Sequence, residues 1–213
     1  TNGINLNMDL ENKMKNALER LYPRGPDQQG KWIDKKGYFV HSRLSIIDTS
    51  DGGKQPMKKH NKVLIFNGEI YNFKELRAQL INSGYTFQSL SDSEVLLSGW
   101  DKWGENFLNL INGMFSFAIW DISLNKLILA RDAYGKKPLL YSVNNKEISF
   151  ASDLKSLEKI VSCGEINNEA VESLFRFRFI HDPLTIYKKV NKLPAGHLIE
   201  FDDKGCSVRK WYS

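Results

Sequence analysis

A few polar side chains have the chemistry to bind a small charged ligand, although each also has a purely structural interpretation. Arg43 carries a guanidinium that suits a carboxylate, and a surface ion pair would use it equally well. Asn67-Gly68 offers amide hydrogen-bond donors, and the same dipeptide is the strongest short-range signal for a β-hairpin turn. Ser91 and Asp92 precede a helical pattern and could serve only to cap it. Taken singly, none of these residues identifies a function.

The order of several motifs along the chain is more specific than any one of them. These motifs are Arg24-Gly25-Pro26-Asp27, His41-Ser42-Arg43-Leu44-Ser45-Ile46-Ile47-Asp48, Gln55-Pro56-Met57, Phe66-Asn67-Gly68-Glu69-Ile70-Tyr71-Asn72, Ser91-Asp92-Ser93-Glu94-Val95, Asn112-Gly113-Met114-Phe115-Ser116-Phe117-Ala118, and Arg131-Asp132 with Gly135, Lys137 and Pro138. This series resembles the glutaminase domain of asparagine synthetases, which are class II glutamine amidotransferases with the N-terminal-nucleophile hydrolase fold. The resemblance covers nearly the whole chain, since Leu193-Pro194-Ala195-Gly196-His197 resembles the start of that family's last hairpin.

The resemblance implies roles in the hydrolysis of glutamine's side-chain amide, which needs a nucleophile, a base, an oxyanion site and a grip on the amino-acid end. The Asn67 side-chain amide and the Gly68 backbone N–H would form the oxyanion hole, where glycine lets the backbone approach the substrate closely. Arg43 would bind the α-carboxylate in bidentate fashion. Glu69 and Asp92 would hold the α-ammonium, so that the pocket suits a zwitterion. Backbone groups of the loop after Arg43 would line the pocket around Leu44, Ile46 and Ile47.

The nucleophile implied by the resemblance is a cysteine at the mature N-terminus, whose α-amino group has a pKa near ~8 and can act as the base. Because this chain opens with Thr1, the cysteine and a first strand are expected further upstream. Cys163 and Cys206 lie late in the chain, outside the pocket motifs, and are expected to behave as small hydrophobic residues. Pro23 stands where the family usually has histidine, but that position has no part in this mechanism.

The resemblance also implies a longer protein, in which residues 1–213 are a glutamine amidotransferase type-2 domain. Family members continue into a synthetase domain, which would use ATP and magnesium to adenylate aspartate for attack by ammonia. No cofactor and no metal are expected in the present domain. The expected partners are glutamine and the C-terminal synthetase domain, and a homodimer is compatible with the resemblance. Two alternatives remain open: an amidotransferase with another acceptor, such as a sugar acid, and a non-catalytic glutamine-binding or scaffold domain.

Periodicity and capping signals predict the helices that must position these motifs. An apolar stripe with helical spacing covers residues 8–21. Asn72 with Glu75, and Ser91 with Glu94, resemble capping boxes, and Gly84 would end the first of these two helices. Further helices are predicted after residue 151, through residue 160, and over residues 168–179.

Strands are predicted over residues 37–40, 44–47, 63–66, 85–90, 114–120, 126–130, 147–151, 197–201 and 206–211. Several are apolar on both faces: Phe115, Phe117 and Ile119 point one way, while Met114, Ala118 and Trp120 point the other. Neither face should therefore meet water. Because most strands are joined by hairpins, we predict an α+β fold, a four-layer αββα sandwich of two antiparallel sheets. The alternative is a single sheet with helices on both faces.

Composition excludes several other classes of protein. The hydrophobic content of 41% suffices for a full core, and a net charge of +5 comes from lysine pairs scattered along the chain rather than from a basic stripe. A nucleic-acid partner is therefore not expected. No apolar run approaches the ~20 residues of a membrane span. The two cysteines lack the spacing of a metal site or a disulfide framework, which favours a reducing, cytoplasmic location.

Overall fold

The structure, a computed structural model, describes residues 2–144 and 147–212, with the side chains of the first helix from Met8 onward. The helices in this part are α1 (Asn2–Leu21), α2 (Phe73–Asn82), α3 (Asp92–Trp103), α4 (Leu154–Leu157) and α5 (Asn168–Phe177). The strands are β1 (Gln28–Ile33), β2 (Tyr38–Arg43), β3 (Met57–Lys59), β4 (Lys62–Ile70), β5 (Gly113–Asp121), β6 (Lys126–Arg131), β7 (Leu140–Asn144), β8 (Glu147–Ala151), β9 (Asn191–Lys192), β10 (His197–Asp202) and β11 (Gly205–Lys210).

A six-stranded antiparallel sheet with the order β11-β10-β6-β5-β4-β3 forms the centre of the fold. Its two faces carry separate hydrophobic clusters. Phe115, Phe117 and Ile119 of β5 belong to the cluster shared with α2 and α3. Ala118 and Trp120 belong to the cluster on the opposite face. The predicted alternation along β5 is confirmed, and both sheet faces are buried.

A second β layer covers that opposite face and consists of two parts, the β1-β2 hairpin and the three-stranded sheet β8-β7-β9. Phe39 of β2 and Tyr141 of β7 are buried against the central sheet, and Phe150 of β8 packs on the same cluster. Helices α1 and α4 contact each other and pack outside this layer, against β2 and against β7 and β8 respectively. The order of layers is therefore helix, sheet, sheet, helix. This confirms the αββα prediction and rules out the single-sheet alternative.

The strand predicted over residues 44–47 is wrong. β2 ends at Arg43, opposite the first residue of β1, Gln28, and no other strand in the described part of the chain continues the ladder. A carboxylate takes the place of a strand partner, because the Ser45 N–H donates to Asp27 Oδ2 at 2.7 Å. The apolar side chains of Leu44 and Ile46, which suggested a strand, are exposed instead.

The strand predicted over residues 85–90 is also wrong, because a buried carboxylate takes its backbone donors. The N–H groups of Gln88 and Ser89 donate to Glu94, at 3.0 and 2.8 Å. The capping box of α3 is consequently only half formed. Ser91 Oγ accepts from Glu94 N at 3.3 Å, while the Glu94 carboxylate faces the preceding segment.

The remaining helices are confirmed with changes at their ends. Helix α2 lacks the predicted side-chain cap, because Asn72 bridges to Leu110 O and Asn112 N, each at 2.9 Å. The helix after residue 151 is a single short turn, α4, and α5 ends two residues before the predicted limit. The sequence does not predict strands β1, β3 and β9, which are largely polar, or β7, whose five residues are too few to show a clear alternation.

Candidate functional site

A cleft of about 1380 Å³ opens between the central sheet and the second β layer. All the residues singled out from the sequence line it. They are Arg43, Leu44, Ile46, Ile47, Asn67, Gly68, Glu69 and Asp92. Strands β2 and β8 also line it, each with one edge that no strand pairs within residues 2–144 and 147–212. The fold thus brings together Arg43, Asp92 and strand β8, which are far apart in sequence.

The side chains on one face of strand β4 change from apolar to polar where the strand enters the cleft. Its side chains alternate: Leu64, Phe66 and Ile70 belong to the cluster under the helices. Val63 lies in the cluster between the two β layers. Asn67 and Glu69 follow on that same face by the two-residue period of a strand. The switch from apolar to polar side chains marks the point at which this face of the sheet meets the cleft.

Asn67-Gly68 is not a turn but lies within this strand, paired with Ser116 and Phe115 of β5. The Asn67 Nδ2 atom is buried and has no hydrogen-bond partner among the described residues. Buried donors are nearly always paired in folded proteins, so an unpaired amide in a cleft is a feature that a ligand acceptor would satisfy.

The backbone N–H of Gly68 points out of the ladder, away from β5. In an antiparallel sheet, alternate residues direct their peptide groups to the same edge. The N–H of Phe66 donates to Gln55 Oε1 and that of Ile70 to Asp92 Oδ2, so Gly68 between them faces the same edge. Its partner Phe115 likewise bonds away from β4, donating to Asp132 Oδ2 at 3.2 Å. Gly68 therefore offers a free-edge donor next to the Asn67 amide.

Arg43 is held at the end of β2 by neutral acceptors. Its Nη1 donates to Ser50 O at 2.9 Å and to Gln28 Oε1 at 3.3 Å, and its Nη2 donates to Asp48 O. Two of the five guanidinium donors, Nε–H among them, have no acceptor in the part of the chain that the structure describes. No carboxylate in that part lies within ion-pair distance of Arg43. These hydrogen bonds fix the orientation of the guanidinium, and its positive charge remains available to an anionic ligand.

Asp92 is the buried acid of the cleft, at the first position of α3, with 6% of its surface exposed. Its Oδ2 accepts from Ile70 N at 3.1 Å. Burial raises the pKa of Asp92 to about 6, and the nearby charge of Glu69 adds to this, although backbone hydrogen bonds oppose it. Two acids that share a desolvated site would be stabilised in their charged forms by a cation placed between them.

The loop after β2 is shaped by two carboxylates that sequence reasoning had not assigned a role. Asp48 accepts from Ser50 Oγ at 2.6 Å and from Leu90 N at 3.0 Å, which ties this loop to the segment before α3. The hydrogen bond from Ser50 is the main cause that lowers the pKa of Asp48. Asp27 fixes the same loop through Ser45. The predicted lining residues Leu44, Ile46 and Ile47 therefore occupy a loop with a defined backbone.

The Arg131-Asp132 motif is a structural element whose side chains make many hydrogen bonds. The Arg131 guanidinium donates to Asp182 Oδ2, Gly135 O and Leu193 O. Asp132 accepts from Lys137 N at 3.0 Å, in addition to Phe115 N. Through its hydrogen bond from Phe115 N, Asp132 fixes the part of β5 that lies opposite Gly68.

Neither cysteine belongs to the cleft. Cys163 is buried in a small cluster with Leu157 and Val190, and burial raises the pKa of its thiol. Cys206 is on the outermost strand β11, opposite Phe201. The described residues contain no group of three or more His, Cys, Asp or Glu side chains with the geometry of a metal site. None of their helices is long and apolar enough to cross a bilayer.

Solved structures share this architecture. The glutamine phosphoribosylpyrophosphate amidotransferase from B. subtilis, complexed with ADP and GMP, superposes with a TM-score of 0.66 at 19% identity, covering 92% of this chain and 45% of that one. A structure described as the allosteric regulatory enzyme of purine biosynthesis gives a TM-score of 0.60 at 22% identity, covering 84% and 36%. The fold is that of the N-terminal-nucleophile type of glutamine amidotransferase.

Sequence comparison then gives the family. The sequence model described as "glutamine amidotransferase domain" matches residues 2–212. Asparagine synthetase (glutamine-hydrolyzing) 1 of Bacillus subtilis (strain 168) is 40% identical over 206 residues, 96% of this chain and 32% of that protein. Asparagine synthetase (glutamine-hydrolyzing) 3 of the same organism is 31% identical over 206 residues, 94% and 33%. The chain belongs to the glutamine amidotransferase domain family, and it spans about a third of the length of these curated relatives.

Proposed function

We propose that this chain is the glutaminase half of an asparagine-synthetase-type amidotransferase, which releases ammonia from glutamine. The observation that carries the proposal is the pair of adjacent donors on β4. The Asn67 Nδ2 is buried without a partner, and the Gly68 N–H is directed out of the ladder. Two preorganised donors at one point of a cleft suit the oxyanion that forms when an amide carbonyl is attacked.

The charges around these donors suit the amino-acid end of glutamine. Arg43 binds the α-carboxylate with the donors that the protein leaves free, and a bidentate contact is the strongest available to a guanidinium. Glu69 and Asp92 bind the α-ammonium, which offsets the cost of burying the Asp92 carboxylate. Leu44, Ile46 and Ile47 line the pocket, and no metal takes part in the hydrolysis.

The nucleophile is the thiolate of a cysteine upstream of Thr1, at the start of a strand of ~5–6 residues, a usual strand length. The unpaired edges of β2 and β8 beside the cleft support this proposal, because an added strand would bridge the two parts of the second β layer. It would also cover apolar surface of the core. The α-amino group of the same cysteine serves as the base.

The acceptor of the ammonia is aspartate, activated with ATP and magnesium by a synthetase domain in the same polypeptide. The relatives named asparagine synthetase support this assignment, and each is about three times as long as the present chain. Glutamine and that domain are the principal partners, in a cytoplasmic protein that could form a homodimer. A different acceptor, such as a sugar acid, is the second candidate.

Glutamine labelled with 15N in its amide separates these functions in the whole gene product. With ATP, magnesium and aspartate present, we expect glutamate to form and the label to appear in asparagine. Glutamate release with no labelled asparagine would show that the acceptor is another molecule. Glutamine binding without any glutamate release would identify a non-catalytic binding domain and refute the proposal.

A further inference from the structure

Among residues 2–144 and 147–212, no strand pairs with the edge of β4 just before the proposed oxyanion site. Strand β3 pairs with β4 only as far as Met57, which lies opposite Leu64. The peptide groups of Phe66, two residues further on, point towards this same edge. A buried backbone N–H or C=O without a partner costs free energy comparable to a lost hydrogen bond, so both groups of Phe66 need a substitute for the strand.

Two side chains supply that substitute. Gln55 is 6% exposed, and its Oε1 accepts from Phe66 N at 2.6 Å while its Nε2 donates to Ser93 Oγ at 3.1 Å. His41 Nε2 lies 3.2 Å from Phe66 O. The backbone of Phe66 is thus bound on its N–H, in the peptide that follows Ile65, by a residue that also reaches the first turn of α3. Its C=O, in the peptide that precedes Asn67, is bound by a residue of β2.

The contacts of His41 define its protonation state. A carbonyl oxygen can only accept, so Nε2 carries the proton and donates to Phe66 O. Nδ1 is then the unprotonated acceptor, and it is buried without a partner among the described residues. Burial lowers the pKa of His41 to about 4, opposed by its bond to Phe66 and assisted by Arg43. The ring is therefore neutral near pH 7, with one fixed tautomer.

We infer that His41 and Gln55 are positioning residues, which hold the backbone of Phe66 at its C=O and at its N–H so that the Asn67 amide and the Gly68 N–H keep their direction in the cleft. This inference rests on the proposed glutaminase function. Neither side chain needs to touch glutamine. The C=O bound by His41 belongs to the peptide that joins Phe66 to Asn67, so a rotation of this peptide would move the Asn67 side chain and the Gly68 N–H together. Loss of the His41 contact should then affect the transition state more than the binding of glutamine.

A pair of substitutions at one position tests this role in the whole gene product. His41→Gln keeps an N–H donor near the place of Nε2, whereas His41→Leu removes it and keeps an apolar side chain. We expect His41→Leu to lower kcat for glutamine hydrolysis by about 10- to 100-fold, as small misplacements of catalytic groups do, with KM changed by less than about twofold. We expect His41→Gln to restore most of kcat.

The outcomes distinguish this inference from the function on which it rests. If the wild-type protein releases no glutamate, the proposed function is wrong. If the wild type is active and His41→Leu keeps full kcat, or His41→Gln falls as far as His41→Leu, only the role of His41 is wrong. Should His41→Leu not fold, 15N NMR of the wild-type ring decides instead. We expect an Nε2-protonated neutral imidazole from pH 6 to 8, assigned by its loss in His41→Gln, and an Nδ1-protonated or charged ring would overturn the inference.

Discussion

Gly68 lies opposite Phe115 in a pair whose peptide groups point away from each other, and the two backbones approach so closely that no side chain fits between them. A Cβ atom at Gly68 would lie 2.2 Å from Met114 O and 2.7 Å from the Phe115 Cα. Because alternate residues of a strand direct their peptide groups to one edge, the Gly68 N–H points to the cleft, as the N–H groups of Phe66 and Ile70 do. The glycine is required by packing as well as by the proposed chemistry.

Gly68→Ala should therefore lower the free energy of unfolding by about 1–3 kcal/mol, a typical cost of overpacking. Residual folded protein should also lose activity, because β4 must shift away from β5. Urea unfolding and kcat measured on the same preparation check this. Gly84→Ala is a control for backbone strain alone: Gly84 has φ +89°, and a Cβ there meets no atom within 4 Å, so the substitution should lower stability and leave kcat unchanged. Equal effects of the two substitutions on kcat would contradict a special role for Gly68.

Asn67→Ala should lower kcat for glutamine hydrolysis by ~10²–10³, as the loss of other single oxyanion donors does. The fold should survive, because the Nδ2 atom has no hydrogen-bond partner to lose. Asn72→Ala is the matched control, because Asn72 bridges Leu110 and Asn112 outside the proposed site. It should reduce thermal stability and leave kcat near the wild-type value. If Asn67 were purely structural, Asn67→Ala would likewise reduce thermal stability and leave kcat near the wild-type value.

Arg43→Lys should raise KM for glutamine by about 10- to 100-fold, because a point charge replaces a planar fork that makes two hydrogen bonds to a carboxylate. Steady-state kinetics of the whole gene product measure this effect. Arg209→Lys provides the control, since Arg209 pairs with Glu105 and Glu200 away from the cleft. An unchanged KM in Arg43→Lys would show that Arg43 only supports the loop containing Asp48 and Ser50.

Asp92 should make glutamine binding weaken as the pH falls below about 6, the value to which burial raises its pKa. Below that pH the carboxyl is neutral and attracts an ammonium less strongly. KM measured from pH 5 to 8 should rise toward the acid end. A flat profile, with the protein still folded, would argue against an ionised Asp92 in the binding site.

The raised pKa of Asp92 also affects stability, and here acid has a favourable effect, whereas it weakens glutamine binding. A carboxyl whose pKa is raised on folding contributes stability that is fully present below its ordinary value of 3.8 and is lost as the pH rises through about 6. At pH 7 the buried charge therefore costs stability, and Asp92→Asn should stabilise the ligand-free protein by up to about 3 kcal/mol. The amide oxygen can still accept from Ile70 N. Urea unfolding at pH 7 and pH 4 should show this gain shrinking in acid.

The sequence predicts β5 at nearly its full length because it is long and apolar on both faces, whereas the prediction for β4 stops at residue 66, where its apolar run ends and the strand continues to Ile70. Phe115, Phe117 and Ile119 lie on the predicted face of β5, and the residues proposed to bind glutamine all line one cleft. The errors lie where side chains replace the hydrogen bonds of a strand. Glu94 binds the backbone before α3, and Asp27 binds the loop after β2. Such long-range contacts leave no periodic pattern in the sequence.

The roles inferred for His41 and Gln55 also rest on long-range contacts that the sequence does not predict. Both belong to motifs that carry the family resemblance, yet their contacts with the C=O and the N–H of Phe66 join positions separated by 25 and 11 residues. These contacts are needed because β3 ends its pairing at Met57, before the N–H and C=O of Phe66 could bond to it. The inward face of β2 offers the one sequence signal, because Phe39, His41 and Arg43 alternate along it.

The central claim is that this cleft hydrolyses glutamine with a thiol from outside the 213 residues. A diazoketone analogue of glutamine, which alkylates an activated thiol, tests it by peptide mass mapping of the whole gene product beside residues 1–213 alone. We expect one label on a cysteine upstream of Thr1, slowed in Asn67→Ala and prevented by excess glutamine, and no label in residues 1–213 alone. Labelling of Cys163 or Cys206, or glutamine turnover by residues 1–213 at the rate of the whole protein, would contradict this account.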